Sequence, residues 1–224
     1  MRKFFFVLIS AALFLIPQSG MAQQKIVDLG LSVKWADCNL GAKSPEETGD
    51  FYAWGETEVA PFNSLEFYKW GEIWERASGE HFLHYTKYNV NKDYGVVDGK
   101  TRLDPEDDAA HVKLGGNWRM PTREEIIELG ENCTRTECVQ KGINGVMFKS
   151  KKNGNTIFLP FAGYRVDGTV KYKGERCLIW ASDLATNFNG CARSLELYKG
   201  ASGYGFNGPY SMRYFGLPIR PVCP

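Results

Sequence analysis

The sequence predicts an α+β fold in which small, twisted antiparallel sheets carry about two helices and long loops. Three observations lead to this prediction. One stretch in the middle of the chain has the local signals of a helix. Short segments of alternating apolar residues, separated by turn residues, cover much of the remainder. Residues 56–104 are rich in aromatic and charged residues but have no clean period. Helices and strands that do not alternate regularly are typical of the α+β class.

The predicted helix begins at Thr122 and extends to Leu129. Thr122 is a favoured N-cap residue and Glu125 follows three residues later, so the two can form a capping box. Pro121 ends the preceding segment, and the acidic first turn suits the positive end of the helix dipole. Gly130 is expected to close the helix.

Strand signals lie on both sides of this helix. The strongest are two hairpins, around residues 153–155 and around Asp167-Gly168, because Asn, Asp and Gly tolerate the backbone angles of tight turns. Three tryptophans lie in or beside these elements and are predicted to be buried: Trp35, Trp118 and Trp180. The predicted strand segments are 25–40 (one or two strands broken at Gly30), 146–150, 156–160, 164–166, 169–172, 178–182, 192–198 and 217–222.

Residues 1–22 have the pattern of a signal peptide. A basic start (Arg2, Lys3) precedes an apolar run, and small residues lead to an expected cleavage after Ala22. We expect residues 23–224 to form a single domain that is exported to the periplasm, the cell surface or the medium, with no membrane insertion after cleavage. The alternative is that the N-terminal segment stays uncleaved as an anchor. Cleavage changes the formal charge from +1 to −1, which argues against nucleic acid as a partner.

The aromatic-rich residues 56–104 are predicted to be a long insertion in this domain. Such irregular segments are usually functional or disordered, and the many aromatics argue against disorder. We therefore expect these side chains to pack back onto the domain. Residues 65–77 fit a short helix.

An acidic segment follows the insertion. Asp104 is expected to cap a short helix with Pro105 in its first position. The alternative is a calcium site, because calcium binds clustered carboxylate oxygens, although the spacing is not that of an EF-hand. The candidate ligands are Asp104, Glu106, Asp107 and Asp108. Apart from this alternative, we expect no cofactor and no metal.

Six cysteines in an exported chain suggest disulfides, and six allow 15 pairings. A local bridge between Cys133 and Cys138 is one expectation. A second is a staple between Cys177 and Cys191, and a third would join the two ends of the domain. The residues of this third bridge are Cys38 and Cys223. The alternative is that some of the six stay free and buried.

Seven blocks of sequence, in one order along nearly the whole of residues 23–224, carry a resemblance to a known family. They are residues 27–36, 52–57, 106–110, 115–122 (G-G-N-W-R-M-P-T), 159–165, 179–182 and 219–222. Together they resemble the Fibrobacter succinogenes major paralogous domain family, which is common in exported proteins of gut Bacteroidales. The resemblance implies a C-type-lectin-like fold, akin to the sulfatase-modifying-factor superfamily, whose long loops build a binding face. The chain lacks the motifs of calcium-dependent sugar-binding lectins.

The resemblance points to the C-terminal loop, residues 198–214, as the binding surface, and the loop's composition agrees. Tyr supplies contact area at a low cost in entropy, while Gly and Asn supply adaptability. We expect a non-catalytic protein that contacts a glycan or protein ligand there. The predicted ligand-binding residues are Tyr198, Tyr204, Phe206, Asn207, Tyr210, Arg213 and Tyr214.

Two alternatives to this function stay open. One is a structural or adhesive subunit of a surface assembly. The other is an enzyme of the sulfatase-modifying type, although the cysteine motif of those enzymes cannot be placed on this chain. A free, reactive Cys177 or Cys191 in a cleft would favour the enzyme, and a disulfide between them would exclude it. No other catalytic motif is present, and no catalytic residue is predicted.

Overall fold

The computed structural model describes residues 24–201 and 209–224. Two α-helices lie in this part of the chain, α1 (Ala109–Leu114) and α2 (Arg123–Asn132). The strands before them are β1 (Ile26–Val27), β2 (Lys34–Ala36), β3 (Gly71–Glu75) and β4 (His81–Tyr85). The strands after them are β5 (Cys133–Gln140), β6 (Ile143–Ser150), β7 (Thr156–Pro160), β8 (Tyr164–Val166), β9 (Thr169–Lys171), β10 (Arg176–Leu184), β11 (Cys191–Tyr198), β12 (Tyr210–Met212) and β13 (Val222–Cys223).

The strands form small sheets whose pairings are all antiparallel. Three sheets have three strands each, in the orders β1-β2-β13, β5-β6-β7 and β10-β11-β12. The pairs β3-β4 and β8-β9 form two-stranded ribbons. With two helices and long connections, the described residues confirm the predicted α+β class with small antiparallel sheets.

Helix α2 has the predicted N-terminus. Thr122 accepts a hydrogen bond from the Glu125 N–H, and the Glu125 carboxylate accepts one from the Thr122 N–H, so the capping box is complete. The predicted end is wrong, because the helix continues through Gly130 to Asn132. Ile126 and Leu129 are buried from this helix, and tertiary packing of that face outweighs the weak helix preference of one glycine.

Both predicted hairpins are confirmed. Strands β6 and β7 flank the 153–155 turn, and β8 and β9 flank Asp167-Gly168, whose φ angles are 48° and 75°. Positive φ at both central residues matches the right-handed twist of the flanking strands. Of the predicted segment 217–222, only the last residue lies in a strand, because β13 begins at Val222; Leu217 makes an isolated bridge to Tyr52.

One hydrophobic cluster lies between α2 and the sheets β1-β2-β13, β5-β6-β7 and β10-β11-β12. Its largest members include Trp35, Phe148 and Phe161, which are at most 2% exposed. In the sheet β1-β2-β13, Lys34 pairs with Cys223, so backbone hydrogen bonds join the two ends of the domain where the sequence suggested a disulfide. This cluster is the part of the core that the periodicity of the strands predicts.

The aromatic-rich segment 56–104 packs on a second and a third cluster. Tyr68, Tyr85 and Tyr88 are 3%, 4% and 0% exposed, which confirms that part of its aromatics pack back onto the domain. Trp74, at 48% exposed, does not. The helix predicted at residues 65–77 is wrong, because a three-residue 3-10 helix (Leu65–Phe67) leads into β3.

The acidic segment forms two short helical pieces where the sequence predicted one. Pro105 occupies the first position of a 3-10 helix, Pro105–Asp107, but the preceding Asp104 makes no side-chain cap bond. Asp108 provides the cap instead, because its carboxylate accepts hydrogen bonds from the N–H groups of Ala110 and His111 at the start of α1. Helix α1 and strand β5 were not predicted from the sequence.

Candidate functional site

The predicted ligand-binding residues fall into three groups in the structure. Tyr198 and Tyr210 lie on the surface, at 41% and 39% exposed. Arg213 and Tyr214 lie inside or partly inside the molecule. Three more lie outside the described residues: Tyr204, Phe206 and Asn207.

Tyr198, at the end of β11, belongs to a small aromatic stack with a cation. The Arg176 guanidinium carbon lies 4.6 Å from the centre of the Tyr198 ring and 3.8 Å from that of Tyr172. Arg176 also pairs with Glu196 at 3.4 Å. Tyr198 therefore makes a contact within the fold while part of its side chain stays exposed.

Tyr210 stacks on an aromatic residue that the sequence analysis did not select. Its ring lies 4.4 Å from that of Phe188, at an interplanar angle of 21°. Met212, two residues further along β12, is on the same face of the strand. Phe188, Tyr210 and Met212 are 51%, 39% and 44% exposed. We call these three side chains the aromatic surface.

Tyr198 and Tyr210 do not share one surface. Tyr210 lies opposite Arg193 on β11, five residues before Tyr198. Side chains five apart on a strand point to opposite faces, and they are about 17 Å apart along it at 3.4 Å per residue. The predicted residues that the structure describes therefore do not form a single site, and Tyr210 is the one that belongs to an exposed apolar surface.

Arg213 was predicted to bind ligand, but its side chain is 0% exposed and holds the interior together. It donates hydrogen bonds to the Tyr68 hydroxyl (3.0 Å) and to the carbonyl oxygens of Tyr88 (3.2 Å) and Lys87 (3.0 Å). Its guanidinium carbon also lies 4.4 Å from the centre of the Tyr85 ring. Burial rules out direct contact with a ligand in this structure, so the prediction for Arg213 is corrected to a structural role.

Tyr214 is half inside the fold. Its ring meets that of Phe215 edge to face at 5.0 Å, and it packs against the cluster that contains Tyr68 and Tyr85. Burial raises the pKa of its hydroxyl. Tyr214 therefore shares its apolar area with the core.

A rigid base supports the aromatic surface. Phe188 lies in a tight turn. The Phe188 N–H donates a hydrogen bond to the Ala185 carbonyl (2.8 Å), and the Phe188 carbonyl accepts one from the Cys191 N–H (2.7 Å). Below, the Arg213 N–H donates to the Gly190 carbonyl at 3.1 Å. A Cβ at Gly190 would lie 2.9 Å from the Tyr85 hydroxyl, so glycine permits this close approach.

Two signals could have identified Phe188 and Met212 from the sequence. Phe188 is a lone aromatic between two asparagines, in a turn that offers no apolar period for burial. Met212 alternates with Tyr210 along the chain, which places both on one face if the segment is a strand. The glycine- and tyrosine-rich composition of that segment predicts a loop, but residues 210–212 pair with β11 and form strand β12.

Lysine side chains pair with carboxylates of the acidic segment that was the alternative calcium site. Lys87 Nζ lies 2.8 Å from Asp104 Oδ2 and 2.6 Å from Asp107 Oδ2. Hydrogen bonds from Lys100 and Lys87 lower the pKa of Asp104 to about 2. Among the described residues, no group of three or more His, Cys, Asp or Glu side chains is arranged to hold a metal.

All six cysteines lie in the described residues and all are free thiols. The expected bridge between Cys133 and Cys138 is wrong for a geometric reason. Both lie in β5, five residues apart, so their side chains point to opposite faces. Cys177 pairs with Leu197 and Cys191 with Met212, so the predicted staple is not formed either. Cys38 and Cys223 are likewise unbonded.

The histidines lie in separate surroundings. His84 stacks on Trp74 at 3.9 Å, and His81 lies at the exposed end of the same ribbon. His111 Nδ1 is 3.2 Å from the Trp118 carbonyl oxygen, to which it donates. The three rings thus contact different partners.

Comparisons with protein-family models, curated proteins and solved structures found no match for this chain. No helix within residues 24–201 and 209–224 is long and apolar enough to cross a membrane.

Proposed function

We propose that this chain is an exported, non-catalytic binding protein with a C-type-lectin-like fold, and that it contacts a protein ligand through the aromatic surface. The observation that carries the proposal is the exposed Phe188–Tyr210 stack, continued by Met212 on an edge strand. The small antiparallel sheets, two helices and long insertion are features that a C-type-lectin-like fold also has.

The composition of the aromatic surface favours a protein over a glycan. Phe, Tyr and Met are enriched at the centres of protein interfaces, where charged residues are depleted. Met adapts its shape to a partner, and stacked rings lose little conformational entropy on binding. Three further predicted contacts, Tyr204, Phe206 and Asn207, lie outside the described residues and take no part in this argument.

The state of the cysteines supports a function without covalent chemistry. Cys177 and Cys191 are 1% and 6% exposed. Burial raises the pKa of the Cys177 thiol to about 12 and that of Cys191 to about 11. Reactive cysteines need the opposite environment, which exposes the sulfur and lowers its pKa.

One observation favours the adhesive alternative. The ribbon β3-β4 exposes Ile73 (43%) on one face and Trp74 (48%) on the other. Leu83 and Tyr85 anchor the ribbon in the domain, and a neighbouring subunit that covers Ile73 or Trp74 would bury apolar area that is otherwise exposed.

The experiment that tests the proposal uses two matched pairs of exposed aromatics. The full-length sequence is expressed with a photo-crosslinking amino acid at Tyr210 or at Phe67, whose ring lies 6.1 Å from Phe62 on a different segment. We expect a discrete protein adduct at Tyr210 and none at Phe67. The crosslinked protein is then identified, purified and titrated against the chain.

In that titration, Phe188→Ser with Tyr210→Ser should weaken binding by about tenfold or more, as for hot-spot aromatics. The control, Phe62→Ser with Phe67→Ser, should not change the affinity. Equal losses in both variants, or equal adducts at both positions, would contradict the proposal. A glycan array probed with the same variants tests whether the ligand is a glycan. Glycan capture that is lost only in the Phe188 and Tyr210 variant would show that the aromatic surface binds a glycan and not a protein.

A further inference from the structure

A cleft of about 410 Å³ lies on a part of the molecule that the proposed function does not use. Its lining includes Arg102, His111, Trp118, Arg119 and Thr122. The volume is in the range of small-ligand sites, roughly 300–1,000 Å³. We call it the Trp118 cleft, after the one tryptophan of the three predicted to be buried that remains partly exposed.

The two walls of the cleft are fixed by backbone pairing. Arg102 forms an antiparallel bridge with Asp183 of β10, and Arg119 forms one with Val222 of β13. The Arg119 N–H donates to the Val222 carbonyl at 3.0 Å, and the Val222 N–H returns a bond of 2.9 Å. The backbone of both walls is therefore already ordered, and ligand binding does not have to order it.

A buried carboxylate fixes the floor. Asp108, 5% exposed, accepts hydrogen bonds from the N–H groups of Ala110 (2.9 Å), His111 (3.1 Å) and Met120 (2.8 Å). One side chain thus ties the start of α1 to the end of the turn that carries Trp118. Gly115 and Gly116 have φ angles of 69° and 57°, which supply the sharp bend of that turn.

The charges that line the cleft are already paired. Arg119 holds both oxygens of Glu125, at 2.8 and 2.6 Å. Arg102 donates twice to Asp183, at 2.8 and 2.7 Å. Glu124, whose carboxylate lies 3.3 Å from the Arg102 guanidinium, and the buried Asp108 add two more carboxylates, so the cleft has no excess of positive charge to attract an acidic ligand. The side chains of Arg119 and Arg102 are still 36% and 53% exposed, and a guanidinium has five N–H groups, so each retains donors for a neutral ligand.

The remaining groups suit a ligand with hydroxyls and an apolar face. Asn117 is exposed and its amide both donates and accepts. His111 uses Nδ1 as a donor to the Trp118 carbonyl, so Nε2 of the neutral ring is an acceptor. Trp118 lines the same cleft and is partly exposed, and an indole is a flat apolar group.

We infer that the Trp118 cleft binds a neutral sugar ring. The ring's C–H face would lie on Trp118, and its hydroxyls would bond to Asn117 and to the free donors of Arg102 and Arg119. The paired charges disfavour an acidic sugar, and the contacts require no metal. This site is independent of the aromatic surface and of the protein ligand proposed for it.

The test is saturation-transfer NMR on protein expressed from the full-length sequence. The probes are the methyl glycosides of glucose, galactose, mannose and N-acetylglucosamine, with glucuronate as the anionic comparison. We expect at least one neutral glycoside to bind, glucuronate to bind more weakly, and a chelator to change nothing. Absence of binding by every neutral glycoside, preference for glucuronate, or loss of binding with the chelator would overturn the inference.

Variants then locate the site. Trp118→Ala should weaken binding by about tenfold or more, whereas Trp118→Phe, which keeps a flat ring, should stay within about threefold. Asn117→Ala, at an exposed position that carries no packing, gives a second loss without risk to the fold. Trp74→Ala removes an exposed tryptophan elsewhere and should have no effect. Binding that survives in both Trp118→Ala and Asn117→Ala would place the sugar outside this cleft.

Discussion

Two arginines seven residues apart, Arg213 and Arg220, are both 0% exposed but anchor different regions of the molecule. Arg220 donates to Asn39 Oδ1 (2.9 Å) and to the carbonyl oxygens of Ala36 (3.1 Å) and Phe158 (2.8 Å), so it joins the N-terminal segment to β7. Arg213 makes three comparable bonds, all to the aromatic-rich segment 56–104.

The surroundings of the two guanidinium groups differ in chemistry. Arg213 lies among aromatic rings, 5.1 Å from Trp54 and 4.4 Å from Tyr85, whose faces attract a cation. Arg220 has thiols nearby, Cys38 and Cys177, and burial lowers its pKa to about 10. Both use the rigid fork of the guanidinium to satisfy several acceptors at once. The comparison shows that in each region one buried cation joins segments that lie far apart in sequence.

The largest expected effect is the loss of Arg220. Arg220→Met should lower the free energy of unfolding by roughly 3–5 kcal/mol, because three buried acceptors lose a charged donor. The loss should be global, since Arg220 contacts both the first segment of the domain and β7. Urea unfolding followed by circular dichroism measures it. Lys199→Met, at an exposed position, is the control, and a loss below about 1 kcal/mol would show that the carbonyls find other donors.

Arg213→Met should cost somewhat less, about 2–4 kcal/mol, and act locally. We expect faster amide hydrogen exchange in residues 68–98, while β5, β6 and β7 keep their protection. The reason is that every acceptor of the Arg213 side chain lies in this segment. Equal loss of protection in β5 to β7 would end the distinction between the two regions.

The two regions also contain buried thiols that respond to pH. The pKa of Cys177, near Arg220, is raised by burial from 9.0 to about 12, and that of Cys191, near Arg213, to about 11. A pKa that is higher in the folded state than in the unfolded state stabilises the fold while the thiol is protonated. This contribution is fully present below pH 9 and is lost as the pH rises through the folded-state pKa values of about 11 and 12. Stability should therefore decline between pH 9 and 12, and less steeply in Cys177→Ala.

Iodoacetamide labelling checks the same shift directly. At pH 8 iodoacetamide should modify Cys177 about a thousandfold more slowly in the folded chain than in the unfolded chain. The folded chain contains far less Cys177 thiolate, and the sulfur is buried. Cys138, the least buried of the six, serves as the internal control. Rapid labelling of Cys177 in the folded protein would contradict the assigned burial.

The smallest expected effect concerns a local signal. Thr122→Ala removes the N-cap of α2 and should cost about 1 kcal/mol. Glu131→Ala, at an exposed position of the same helix, is the control and should change the free energy of unfolding by less than about 0.5 kcal/mol. A cap effect as large as that of Arg220 would mean that local signals and long-range bonds contribute equally to this region.

The candidate site was predictable only in part. The composition of the C-terminal loop identified Tyr210, because a tyrosine amid glycine and asparagine has no apolar period to bury it. The same argument selected Arg213, and there it failed. A guanidinium can be buried if carbonyls and rings from distant segments surround it, and no pattern in the neighbouring sequence predicts such burial. Phe188 was missed because its stack with Tyr210 joins residues 22 positions apart.

The sequence by itself determined the α+β class, the capping box of α2 and the hairpins around residues 153–155 and Asp167-Gly168. These features depend on residues within a few positions of one another, whose backbone preferences and periodicity act locally. The tertiary structure alone decided the course of residues 56–104, the burial of Arg213 and Arg220, the free state of the cysteines and the formation of the Trp118 cleft. Each of these requires groups that are far apart in sequence to meet, and only the packed core fixes which of them do.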